Sequence, residues 1–194
     1  MGVRFALICA AVCAFAAPAC ARVVDEVRVG VAAHNVHFRG DSPDSSGQSD
    51  ETGPDLELEI VSSQLRGVFG APRPYAMLSA NLAGDTSYVA AGLLWRWRFA
   101  RRWTLEPSFG LAIHNGATHD PYPPGDPRAE EYAREHQLLG TRALFRETLA
   151  VDRELDARQS LGLSIAHLSN GGTVFGHSDN EGLNEVALRY TMRR

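Results

Sequence analysis

The segment His167-Leu168-Ser169 is the first place where residue types and spacing suggest chemistry. On a strand, residues i and i+2 share a face and lie roughly 7 Å apart at Cα. An imidazole so placed reaches a hydroxyl, and a base that takes the serine proton makes a nucleophile. Asn170, Gly171 and Gly172 follow directly. Glycines let backbone N–H groups turn toward one point, and an asparagine amide adds a donor, which is the raw material of an oxyanion hole. Glu181, in the loop beyond, is a candidate to orient His167 and stabilise its cation. Each piece has a plainer reading. A His-x-Ser pair alone is a weak pattern, Asn-Gly-Gly is most often a turn, and a loop glutamate is most often solvated.

The elements around the pair sharpen the reading. Leu161, Leu163 and Ile165 precede His167 with period two, so the pair sits at the end of an apolar strand face. The same alternation runs through Val89, Ala91, Leu93, Trp95, Trp97 and Phe99, with Ala90, Gly92, Leu94, Arg96 and Arg98 opposite. It recurs in Trp103, Leu105, Pro107, Phe109, Leu111 and Ile113, with Thr104, Glu106, Ser108, Gly110, Ala112 and His114 opposite. A soluble sandwich or ligand-binding barrel also alternates, with its apolar face turned inward. Long strands, a cluster of Trp95, Trp97, Phe99 and Trp103 at one end, and charges on the opposite face favour a transmembrane barrel with a polar lumen.

Eight strands are predicted, near 25–37, 55–66, 72–83, 86–99, 103–115, 136–151, 157–169 and 183–192. The fold class is all-β, an eight-stranded antiparallel outer-membrane barrel. Short turns near 67–71, 100–102 and 152–156 would be periplasmic. The loops 38–54, 116–135 and 170–182 would be extracellular, with a short turn at Gly84-Asp85 on the same side. The segment His119–Pro127 is too rich in proline for a regular element. Eight strands enclose side chains and leave no pore, so channel activity is not expected.

Composition agrees. The chain has 194 residues and a formal charge of −4, which suits one domain and argues against nucleic acid as a partner. Mean hydropathy is −0.19, and past the N-terminus no apolar run approaches the length of a spanning helix. Residues 1–21 read as a signal peptide: Arg4, an apolar stretch from Phe5 to Ala17, then Ala19-Cys20-Ala21 as a cleavage pattern. Residues 22–194 would form the barrel domain. Cys9, Cys13 and Cys20 all lie in the leader, so the mature chain has neither disulfide nor thiol chemistry. His34, His37, His114, His119, His136 and His177 lack metal-ligand spacing, and neither metal nor cofactor is expected.

His167-Leu168-Ser169-Asn170-Gly171, followed by Asn180-Glu181-Gly182, resembles the signature of the PagL-type lipid A 3-O-deacylases, the acyloxyacyl hydrolase-like family. The resemblance implies an eight-stranded outer-membrane esterase that removes an ester-linked acyl chain from lipid A. It implies Ser169 as nucleophile, His167 as base, Glu181 as third triad member, and Asn170 with the Gly171 backbone as oxyanion donors. Glu181 has the wrong parity for the lipid-facing row of the last strand and would have to reach His167 from the loop. The implied partner is lipid A, or lipopolysaccharide, in the outer leaflet, with a homodimer left open. The alternative from another class is a non-catalytic small barrel with structural or adhesive loops.

Overall fold

The computed structural model describes residues 24–38, 49–172 and 181–194. The expected leader, most of the 38–54 loop tip and Asn180 lie outside the described residues.

Period-two patterning becomes strand throughout. The strands are β1 (Val24–Ala33), β2 (Pro54–Ser62), β3 (Arg73–Asn81), β4 (Tyr88–Leu94), β5 (Trp97–Ala100), β6 (Trp103–His114), β7 (Ala143–Glu154), β8 (Gln159–Ser169) and β9 (Leu183–Arg193), with one helix, α1 (Pro127–Glu135), between β6 and β7. β4 and β5 both pair with β6 and form one interrupted strand, so the barrel has eight staves. Neighbours in sequence pair antiparallel, and β1 closes the barrel on β9 from Glu26↔Arg193 to Ala33↔Val186. Closure leaves no sheet edge, which a bilayer requires of β structure.

The interruption at Trp95-Arg96 has a cause on the facing strand. Leu94 pairs with Ser108 and Trp97 with Leu105, which puts Pro107 opposite the gap. Proline has no N–H to donate to the ladder. Trp95 N still donates to the Pro107 carbonyl at 3.0 Å. Nearby, Gly92 and Gly110 are register partners. A Cβ on Gly92 would come within 2.2 Å of the Phe109 carbonyl oxygen, so β4 and β6 approach too closely for a side chain there.

The apolar rows face outward. Val29, Val31, Leu56, Leu58, Leu78, Val89, Phe109, Leu111, Ile113, Leu149, Leu161, Leu163, Ile165 and Leu188 are all exposed. The lumen is polar and filled. Arg28 donates to Glu59 at 2.7 Å, Glu26 at 3.0 Å and Glu106 at 2.8 Å. Arg96 adds bonds to Glu26 and Glu106, and Arg189 pairs with Asp152. These buried ions occlude the lumen. Arg98, expected inside, is instead exposed at the rim and pairs with Glu154, 2.8 Å from Nη1 to Oε2.

Several boundaries differ from expectation; β2, expected to reach 66, ends at Ser62. The strand placed at 136–151 runs Ala143–Glu154, because Gly140 adopts φ 74° and breaks the chain after the buried Leu138-Leu139. The turn that follows it is therefore 155–158. The 116–135 segment holds α1, started by Asp126, whose Oδ1 accepts from Arg128 N at 3.0 Å, with Pro127 in the first turn. The first strand ends at Ala33, four residues early, where the chain turns and Asn35 takes φ 50°.

Candidate active site

β8 alternates without a bulge. Leu161, Leu163, Ile165 and His167 are exposed and Ser169 is half-buried, while Ser160, Gly162, Ser164, Ala166 and Leu168 are buried. His167 and Ser169 therefore sit on the outer, lipid-side wall, two residues and none from the strand's long-loop end. Register partners share a face, so the outer neighbours of His167 are Glu147 on β7 and Asn184 on β9, and that of Ser169 is Phe145. Away from the short-turn rim, the non-aromatic polar side chains on the outward rows of the described strands are these: Glu147, His167, Ser169 and Asn184. They form one contiguous patch on an otherwise apolar wall.

The histidine is held from β9. His167 Nδ1 lies 2.7 Å from Asn184 Oδ1. With Nδ1–H donating to that oxygen, the lone pair resides on Nε2, the form a general base needs. Gly182 packs against the other edge of the ring. It sits at φ 70°, and a Cβ there would come within 2.9 Å of His167 Cε1. Both the conformation and the ring exclude a side chain at that position.

Glu181 arrives through the loop preceding β9, not from a strand. Its Oε2 accepts from Leu138 N at 2.7 Å, and its own N–H donates to Leu138 O at 3.2 Å. The structure brings Glu181 beside the site through Gly182, and places Asn184, not Glu181, on His167 Nδ1. Asn170 is fully buried and faces inward, opposite in parity to Ser169. Its Nδ2 donates to Leu139 O at 3.2 Å and its Oδ1 accepts from Gly172 N at 2.8 Å. Gly171 and Gly172 adopt φ 73° and 58°, so the turn they make after Ser169 suits glycine at both positions.

One short strap serves all three loop residues. Gln137 Nε2 donates to Gly182 O at 2.6 Å, Leu138 clamps Glu181, and Leu139 O receives Asn170. The strap is anchored by Glu51, whose Oε1 accepts from Gln137 N at 3.0 Å. Ser49 Oγ donates to Gln137 Oε1 at 2.6 Å. Glu51 in turn contacts His34 Nε2 at 3.2 Å, and Asp55 takes His34 Nδ1 at 2.8 Å. Burial works against charge on His34, but the two carboxylates outweigh it and push its pKa up to about 9. Burial likewise opposes charge on Glu51, yet its bonds to His34 and Gln137 N hold it below the usual carboxylate range.

His34, Asp55 and Glu185 are the candidate metal group among the described residues, with ligand atoms within 4.8 Å of one another. A metal needs a neutral imidazole lone pair. Both His34 nitrogens already face carboxylates, Asp55 at 2.8 Å and Glu51 at 3.2 Å, so the group reads as an ion-paired anchor. Asn184, Glu147 and the 137–139 strap were not singled out in the sequence. The available signal was a polar residue at the head of, or inside, an outward apolar row.

A family model described as lipid A 3-O-deacylase (PagL) matches residues 30–193. No curated protein matches the sequence. Among solved structures, the crystal structure of the outer membrane enzyme PagL is similar with a TM-score of 0.59 at 15% identity, covering 87% of this chain and 99% of that one. Neisserial surface protein A (NspA) gives a TM-score of 0.51 at 8% identity, covering 87% and 96%. At these identities the structural likeness is one of fold, the small outer-membrane barrel.

Proposed function

The chain belongs to the lipid A 3-O-deacylase (PagL) family and is a Gram-negative outer-membrane barrel, and on that premise we propose that it is a serine esterase removing the 3-O-linked acyl chain of lipid A. The observation that carries the reading is the outward polar patch at the long-loop end of β8, where His167 and Ser169 meet the membrane. With the long loops extracellular, that level is the outer leaflet, and a substrate there reaches Ser169 without leaving the bilayer.

Ser169 Oγ attacks the acyl carbonyl carbon as its proton passes to His167 Nε2. The carbonyl electrons move to oxygen, and the turn Asn170-Gly171 meets that oxyanion. The Gly171 N–H donates, and the Asn170 side chain, tied to Leu139 O and Gly172 N, holds the turn in shape. Collapse breaks the ester C–O bond, and the imidazolium gives its proton to the leaving sugar oxygen. Water, deprotonated by His167, then attacks the acyl-enzyme and releases the fatty acid and Ser169. Asn184 keeps the proton on Nδ1, and Glu181 supports the cation from the loop. Phe145, beside Ser169 and stacked on Phe109 with centroids 5.6 Å apart, offers the acyl chain an apolar wall.

The test is lipid A mass spectrometry of cells expressing the wild type, Ser169→Ala, and Ser164→Ala as a control facing the lumen on the same strand. Loss of one hydroxyacyl chain with the wild type and Ser164→Ala, but not with Ser169→Ala, supports the mechanism. Unchanged lipid A in all three, with the barrel folded in the outer membrane, favours the non-catalytic barrel. Equal deacylation by Ser169→Ala rules out the serine mechanism.

A further inference from the structure

We infer that Glu147 is a positioning residue of the same site, a carboxylate held across the ladder from His167 to stabilise the imidazolium formed during acyl transfer. The inference rests on the esterase reading above.

Glu147 stands where a charge is hard to explain structurally. It is exposed on the outer row of β7, with Phe145 and Leu149 as the row's next members on either side. Its register partner on β6 is Phe109 and its partner on β8 is His167. Three of its four outer neighbours are therefore apolar, and His167 is the fourth. No hydrogen bond or ion pair to Glu147 is present among the described residues. A charged group on a lipid-facing row of a barrel is destabilising unless something compensates it.

The compensation is transient. Directly opposed residues on antiparallel strands have Cβ atoms about 4.5–5.5 Å apart. When His167 takes the Ser169 proton, a cation forms on the register partner of Glu147, next to hydrocarbon, where charges attract strongly. Glu147 does not compete for Nδ1, which Asn184 already holds at 2.7 Å. Nor does it touch the ester. It acts on the charge of the base, so its effect belongs in turnover and not in substrate binding.

The roles predict opposite movements of stability and activity. Purified enzyme is assayed in mixed micelles with hexa-acylated lipid A, following released fatty acid by mass spectrometry, beside thermal unfolding of each variant. Glu147→Leu suits the lipid face, so its melting temperature should hold or rise, while kcat falls about 10-fold or more and KM stays within about twofold. Glu147→Gln, which keeps the shape and loses the charge, should fall equally. Glu147→Asp should retain turnover within about threefold of the wild type. Wild-type kcat in Glu147→Leu or Glu147→Gln, with Ser169→Ala inactive in the same assay, overturns the inference and leaves the esterase reading standing. An active Ser169→Ala overturns both.

Discussion

The imidazole of His167 is paired with the amide of Asn184, its register partner on β9, with Nδ1 and Oδ1 2.7 Å apart. In the proposed mechanism, the tautomer with its lone pair on Nε2 is thus set by strand register. A neutral acceptor fixes the ring and leaves the developing cation to carboxylates nearby. Asn184→Ala should lower kcat about 10-fold, roughly 1.4 kcal/mol of transition-state stabilisation, with little change in KM. Asn184→Asp retains the acceptor and should keep most of the activity. Steady-state kinetics on lipid A in micelles would check both. A severe Glu181→Gln beside a neutral Asn184→Ala would assign the orienting role to Glu181.

The strap at Gln137 should matter more than its distance from the chemistry suggests. Gln137 is buried, and its side chain links Ser49 to the carbonyl of Gly182, the residue packed on the His167 ring. Gln137→Ala removes the side-chain donor to the buried Gly182 carbonyl, a loss costing about 1–3 kcal/mol, and the acceptor of the Ser49 hydroxyl, which keeps its bond from Asn35 Nδ2. The barrel staves are untouched, so the variant should still migrate as a heat-modifiable folded species on unheated gels. Its deacylation rate should fall at least about threefold. A variant with normal turnover would show that the loop keeps Gly182 in place by other means.

How far the sequence carried the reading depended on which partners are local. Alternation along β6 and β8 is a property of single segments, so the barrel, the outward face of His167 and Ser169, and the lumenal Glu106 were all legible. The β4–β5 break was not, because its cause is Pro107 on the opposing strand. Gln137-Leu138-Leu139 fell within the strand expected at 136–151. They are buried, but in a loop that Gly140 turns away from β7. For α1 the signal was present in Asp126-Pro127, a capping residue followed by proline, and was masked by the prolines before it. Asn184 and Glu147 flank His167 only through the registers of three strands, which spacing along the chain does not encode.

The outer wall makes a quantitative prediction. Leu163 and Ile165 are exposed on β8 and Phe109 on β6. An arginine placed at such a position near the midplane costs about 2–4 kcal/mol in transmembrane barrels, and less toward either interface. Leu163→Arg should therefore destabilise refolding into lipid vesicles by an amount in that range. Ser164→Arg, one residue on, would instead enter the ion-filled lumen and should hinder folding by crowding. Leu163→Arg with wild-type folding free energy would show that this row does not contact lipid.

Titration of the loop anchor should be visible in stability. His34 has a folded pKa of about 9, above the unfolded histidine value of about 6.5. A raised pKa means the contact's contribution is complete below about 6.5 and is lost as pH rises through about 9. Glu51 has the opposite sign: its folded pKa is depressed, so its contribution is complete above the unfolded value of about 4.3 and is lost as pH falls through the folded one. The anchor should then be strongest between about pH 4.5 and 6.5 and weaken steadily toward pH 9. Because it holds Glu51, and Glu51 holds the Gln137 strap, the loss should appear first as faster proteolysis of the 115–142 loop in the folded barrel. His34→Gln, which cannot charge, should show the same loop protection at pH 6 and pH 9. If the wild type shows no difference between those two pH values, His34 is not the protonated bridge between Asp55 and Glu51.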